Sequence, residues 1–444
     1  MKGLITVMMV VGFVRTGLAQ EYVFTLDSCI RYALTHRTEI IISEQTGRGV
    51  NRTVGYLRQQ QLPDVNASYS HSMNWGRSLN TETYVWEDSY NQYGNMALSS
   101  SLTLFAGMQL RNQIRAARIN VLRNETSHQK LKNDIQLEVI QAFYEVLAAE
   151  ARRKMTALFY EADEKQETRM KILDSVRRVA APDRLEIKGQ TRKTGIEKKN
   201  AEKTFLLALL KLRKCMNYQE KRDFCLLQDE TAKLFVVPSV DEIVRDALES
   251  LPEIRTFRLD SLLLRNRLKQ LRGNFSPTLS LSGMLYTRYQ NHHIDPVSGE
   301  KYVFWEQLKD NNYKQVGISL SIPLFNRNSV RREIRELRTE MLNQQLSQVK
   351  LLSDIRNEIE QMCLEAETRK QNYEALREQE INYREILFLR RIQYEQEKLS
   401  VYDLLTAESN WRKVQTELLL ERYNLSCYLE MLDFYKTGGR KGTY

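Results

Sequence analysis

The sequence predicts a mainly α chain with a membrane β-barrel portion: long antiparallel coiled-coil helices, and four strands per chain that contribute to a shared barrel. Three observations carry this. Glycine and proline number only 18 and 7 in 444 residues, well under ordinary usage of about 7% and 5%. The chain repeats itself once. Four stretches alternate apolar with small polar residues, the period of two that marks strands.

The same composition excludes other classes. A mean hydropathy of −0.51 rules out a bundle of transmembrane helices, which needs several apolar runs of about 20 residues. The 66 Lys+Arg exceed the 56 Asp+Glu by ten, but the two signs are interspersed along helices, as on solvated coiled-coil faces, so no nucleic-acid partner is expected. No P-loop, H-E-x-x-H or G-x-S-x-G occurs, and neither an enzyme nor a cofactor is expected. His292-His293 is expected to be a pair of exposed loop residues rather than a metal site. Cys29, Cys215, Cys225, Cys363 and Cys427 are odd in number and lack a C-x-x-C, so they form no disulfide framework. Whether Cys215 and Cys225 pair stays open.

Residues 1–19 read as a secretory signal peptide. Lys2 gives the positive start, Leu4–Val14 the apolar core, and Gly17-Leu18-Ala19 the small residues of a cleavage site. An exported chain follows from that reading.

The repeat organises everything after it. Asp27, Arg31, Ala33 and Leu34 recur as Asp241, Arg245, Ala247 and Leu248, and Leu57-Arg58 with Pro63 as Leu271-Arg272 with Pro277. Leu104-Phe105 returns as Leu324-Phe325, and Asp183 as Asp403. Two structural repeats are expected, 20–235 and 236–444, each running helix, strand, strand, long helix, helix.

The helices at 26–61 and 240–272 end at the prolines. Strands are expected at about 64–76, 93–106, 277–289 and 313–324, with Val65, Ala67 and Tyr69 or Val316, Ile318 and Leu320 on one face and Ser, Thr or Asn on the other. Very long helices follow at about 107–174 and 327–395, and second helices return along 183–216 and 400–434. At 1.5 Å per residue a run of roughly 68 residues reaches on the order of 100 Å, a length that points to coiled-coil pairing. Ile135, Val139, Phe143 and Val146 mark a narrow apolar seam.

Alternating strands flanked by aromatic residues such as Trp75, Trp86, Tyr289 and Trp305 fit an outer-membrane barrel, with lipid on the apolar face and water on the polar one. Four strands cannot close a barrel, and open edges in lipid leave backbone groups unpaired at several kcal/mol each. Several copies must share one wall; three give twelve strands and room for water.

At this point the residues resemble a family. Val316–Arg331, a strand running into Ile-Pro-Leu-Phe before a long helix, and Tyr394–Glu408, with Ser400-Val401-Tyr402-Asp403-Leu404-Leu405, are similar to the TolC-like outer-membrane efflux proteins. Arg422-Tyr423-Asn424 adds to the likeness. The resemblance implies a homotrimer with a twelve-stranded barrel in outer-membrane lipid of a Gram-negative bacterium and a helical tunnel in the periplasm. It implies a passive exit duct of a tripartite efflux or type I secretion system, partnered by a periplasmic adaptor (membrane fusion) protein and an inner-membrane transporter. A non-channel periplasmic coiled-coil structural or adaptor protein is the rival reading.

The resemblance also implies where the duct narrows. Asp403 matches an acidic position at the periplasmic tip, Asp183 is its counterpart in the first repeat, and Tyr394 is the family's tyrosine. Thr406 stands at a second acidic position, Leu399 at a basic one and Glu397 at a glycine. Asp403, Asp183, Tyr394 and Thr406 are therefore the pore-constriction candidates. Asp403 also suits a helix cap after Ser400.

Overall fold

The computed structural model describes residues 22–79, 84–175, 180–219, 224–226, 236–291, 299–396 and 398–439. The expected leader, His292-His293 and Glu397 lie outside them. In chain order the elements are β1 (Tyr22–Phe24), α1 (Leu26–His36), α2 (Thr38–Gln59), β2 (Asp64–Leu79), β3 (Trp86–Ala106), α3 (Gln109–Ser175), α4 (Ala181–Met216), β4 (Phe224–Leu226), α5 (Val240–Ser250), α6 (Pro252–Gly273), β5 (Thr278–Gln290), α7 (Phe304–Asp310), β6 (Tyr313–Ser321), α8 (Ser329–Glu395) and α9 (Val401–Thr437). They fall into two compact units, each drawing on both sequence repeats.

One unit, residues 42–130 and 252–353, holds a four-stranded antiparallel sheet in the order β2-β3-β5-β6. Its register runs unbroken across all four strands near the middle of the sheet. Ala67, Leu98, Leu285 and Lys314 form one cross-strand row, and Tyr69, Met96 and Thr287 the next. Because side chains alternate between faces, Val65, Tyr69, Leu98, Leu285, Val316, Ile318 and Leu320 share one face, and all of them are exposed. Asn66, Ser68, Ser99, Ser101, Ser280, Ser282 and Ser319 share the other. β6 stops before Pro323, which has no N–H to give a ladder.

Beyond the end of β6 the edge of β5 is finished by α7. The buried Gln307 side chain accepts from the Gln290 N–H at 2.9 Å and donates to the Gln290 carbonyl at 3.1 Å, pairing with the backbone where a strand otherwise stands. Thr287 Oγ1 donates to the Leu308 carbonyl at 2.7 Å, and Phe304 meets Tyr289 edge-on at 4.7 Å.

Where β3 turns into α3 and α6 leads to β5, two backbones touch. A Cβ on Gly107 would lie 2.2 Å from the Gly273 carbonyl oxygen, and one on Gly273 would lie 2.5 Å from that of Gly107. Gly107 also has φ +57, the left-handed region that costs glycine little.

The other unit comprises residues up to 41, 131–251 and 354 onward. Here the apolar seam of Ile135, Val139, Phe143 and Val146 is fully buried. β1 and β4 pair in parallel, and Phe24 meets both Tyr32 and Tyr218 edge-on beside them, the two tyrosines tilted against each other. α1 opens with a capping box in which Thr25 and Ser28 bond each other's backbone. Cys29, Cys215, Cys363 and Cys427 are free thiols. Burial pushes Cys29 and Cys427 up to about 12, the behaviour of inert core residues.

Candidate functional site

The candidate constriction residues gather in the second unit, where α3 ends, α4 starts, α8 ends and α9 starts. Two small apolar clusters pin these ends. Met170, Ile187 and Val401 are buried together, with Leu173, Tyr394 and Leu405 packed against them. Leu387, Leu404 and Ala407 form a second cluster, covered by Tyr394, Leu399 and Trp411. Tyr394 belongs to both. Leu399, where the resemblance sets a basic residue, is thus an apolar packing residue.

Burial raises the pKa of the Tyr394 hydroxyl, and the nearby charge of Asp183 raises it further, against a smaller opposing effect of Arg169. Tyr394 on α8 and Asp183 in the first turn of α4 are therefore within electrostatic reach. Asp183 follows Pro182, which suits the first turn because its missing N–H has no helical partner to lose.

Asp403 is exposed in the first turn of α9. The Ser400 hydroxyl donates to Asp403 Oδ2 at 2.6 Å, and the Asp403 N–H donates back to Ser400 Oγ at 3.1 Å. Ser400 is the N-cap, and Asp403 adds negative charge where the helix dipole favours it. Thr406, also exposed, donates its hydroxyl to the Tyr402 carbonyl at 2.8 Å. Asp403 and Thr406 lie one turn apart; the second acidic position of the resemblance is an uncharged hydroxyl here.

About three turns further along these helices lies a buried polar network that sequence reasoning did not find. Arg412 of α9 grips Asp163 of α3 through two hydrogen bonds of 2.6 and 2.9 Å. Thr194 of α4 donates to the same carboxylate at 2.5 Å. Asp163 is 2% exposed and Arg412 12%. Glu408 sits 3.5 Å from Arg412, one turn away on α9, and takes a second cation, Arg391 of α8, at 2.8 Å. The Arg412 guanidinium lies 5.0 Å over the Phe159 ring. Burial works against its charge, but hydrogen bonding to Asp163 and the charges of Asp163, Glu408 and Glu197 outweigh that and hold its pKa above the ordinary arginine value.

A third buried carboxylate, after Asp163 and Glu408, lies nearby. Glu380 of α8 accepts from Arg384 at 2.7 and 2.9 Å and from Trp411 Nε1 of α9 at 3.1 Å. Ion pairs and hydrogen bonds thus brace all four helices: α3 and α4 to α9 through Asp163, and α9 to α8 through Glu408 and Glu380. Such groups are satisfied only while the helices keep this arrangement. Among the described residues no cluster of His, Cys, Asp and Glu is placed to hold a metal ion, and no helix is long and apolar enough to cross a membrane.

The outer membrane efflux protein family matches residues 30–167 and 243–434, most of the chain. The chain belongs to that family. No curated protein sequence matches it, but solved structures do. The Campylobacter jejuni CmeC outer membrane channel superposes with a TM-score of 0.77 at 16% identity, over 94% of this chain and 87% of CmeC. The outer membrane protein VceC of Vibrio cholerae gives 0.72 at 14%, over 93% and 96%. The open state of the Neisseria gonorrhoeae MtrE outer membrane channel gives 0.71 at 17%, over 93% and 89%. At these identities the likeness is one of fold: a mainly helical TolC-like chain with a four-stranded barrel portion.

Proposed function

We propose that the chain is the outer-membrane exit duct of a tripartite efflux or type I secretion system. Three copies form a twelve-stranded barrel that continues into a periplasmic helical tunnel. One observation carries the reading: among the described residues the sheet of β2-β3-β5-β6 has two open edges and an exposed apolar face, on which Val316 is 82% and Ile318 70% exposed. A face of that kind calls for lipid or a partner, and open edges in lipid call for further strands. The serine-rich opposite face suits a water-filled lumen.

In this reading the duct is passive. An inner-membrane transporter supplies the energy, and a periplasmic adaptor joins the two. Asp403 and Thr406 of each copy stand at the narrow end, with Tyr394 of α8 packed against the cluster that includes Ile187 of α4 and Asp183 in the first turn of α4. Symmetry brings three Asp403 carboxylates toward one axis, which favours cations over anions.

The reading is tested by expressing the full chain in a Gram-negative host. It predicts a trimer in the outer-membrane fraction that dissociates on heating and conducts ions in planar bilayers. A soluble monomer in the periplasmic fraction would replace it with the rival coiled-coil reading.

A further inference from the structure

Within the aliphatic part of the sheet's apolar face, Lys314 is a charge whose cross-strand neighbours carry none. Along the row Ala67, Leu98, Leu285 and Lys314, three hydrophobic residues end on an exposed lysine. Val316 follows it on the same face, and among the described residues Lys314 has no carboxylate partner. An ammonium group set among aliphatic side chains is costly in hydrocarbon unless it reaches the interface or meets an anion.

Beside that lysine is a recess of about 570 Å³, lined on this face by Ala67, Tyr69, Met96, Leu98, Leu285 and, from α7, Leu308. The helix is held on the same face through Thr287 and Tyr289, as described above. It carries Trp305, 74% exposed, and Phe304 on adjacent positions, the residue types that sit at a membrane–water interface. An apolar slot, an aromatic helix above it and a lone cation at its rim together match an amphiphile with a hydrocarbon chain and an anionic head.

We propose that this recess is a binding site for a phosphorylated, acylated glycolipid of the outer leaflet, with one acyl chain in the slot under α7 and a phosphate on Lys314. The leaflet follows from topology. α7 and the strand ends at Leu79 and Trp86 lie at the end of the sheet opposite that joined to α2 and α3, and the helices are periplasmic if the duct reading holds, so this site rests on that reading. The cation selects phosphate, and the slot selects lipid over the free ion.

The test uses the full chain, purified in a non-ionic detergent and incubated with diphosphoryl lipid A, with phosphatidylcholine, or with inorganic phosphate, and read by native mass spectrometry. Lipid A should be retained in preference to phosphatidylcholine, and excess inorganic phosphate should not displace it. Lys314→Gln should lower lipid A retention about tenfold, as expected for losing one charge-assisted contact, while phosphatidylcholine retention stays unchanged. Leu98→Gln should lower retention of both lipids. Equal lipid A retention by the wild type and Lys314→Gln would overturn the site, as would displacement by inorganic phosphate. Planar-bilayer conductance of the same samples separates the two ideas: conducting trimers without lipid A preference refute the lipid site alone, whereas absence of conducting oligomers refutes the duct reading.

Discussion

Arg412 and Asp163 stand 249 residues apart in sequence and meet in a two-pronged ion pair among four helices. Both are largely withdrawn from water, so each depends on the other to offset its desolvation. Arg412→Ala strands the Asp163 charge and should cost about 3–5 kcal/mol of stability in the helical part. Asp163→Leu combined with Arg412→Met should recover most of that loss. Denaturant titration followed by circular dichroism measures both, and a double mutant as unstable as the single would contradict the argument.

The cap at α9 predicts a separable pair of effects. Ser400→Ala removes the hydroxyl that accepts the Asp403 N–H and should cost about 1 kcal/mol with little change in ion preference. Asp403→Ala should weaken cation preference in planar-bilayer recordings. If reversal potentials are unchanged in Asp403→Ala, Asp403 is a cap residue and nothing more.

Tyr394 predicts a pH effect. Its folded-state pKa is raised by burial and by Asp183 from an ordinary value of 10.0. The folded chain therefore keeps the phenolic proton at a pH where the unfolded chain has lost it. The stability this contributes is whole below pH 10, and it is lost as pH rises through the folded pKa. Tyr394→Phe should unfold with a flatter dependence as pH rises above 10; an unaltered slope there would count against the raised pKa of the buried hydroxyl.

The Gly107–Gly273 approach predicts intolerance on two grounds. Alanine at 107 meets carbonyl oxygen at 2.2 Å and must hold φ +57, so Gly107→Ala should cost more than about 1 kcal/mol. Gly49→Ala on α2, with open space around it, should be neutral or mildly stabilising. Thermal unfolding of the two variants makes the comparison.

What the sequence revealed follows physical range. The barrel strands were legible because alternation is local: Val316, Ile318 and Leu320 announce their shared face without reference to any other element. Ser400 and Asp403 were legible as a cap for the same reason. Arg412 and Asp163 were not, because the helices carry charges at nearly every turn and nothing local separates a buried arginine from a solvated one. The Glu408–Arg412 spacing of one turn was a weak signal, common on exposed helices. The helix α7 was hidden in another way. Its seven residues are too few for a helical period to emerge, and its aromatics resemble those of an interfacial connection. Leu399 is the instructive departure: read against the family as a missing cation, it is apolar packing in the structure.

Strands β2 and β6 each end the sheet with a row of amides and carbonyls that no other described strand takes up. A solitary subunit therefore gains little by entering a bilayer, and insertion becomes a collective event. Its kinetics should show a lag and a steep dependence on subunit concentration, as assembly steps do. In the duct reading, the supply of new chains then decides when a pore appears.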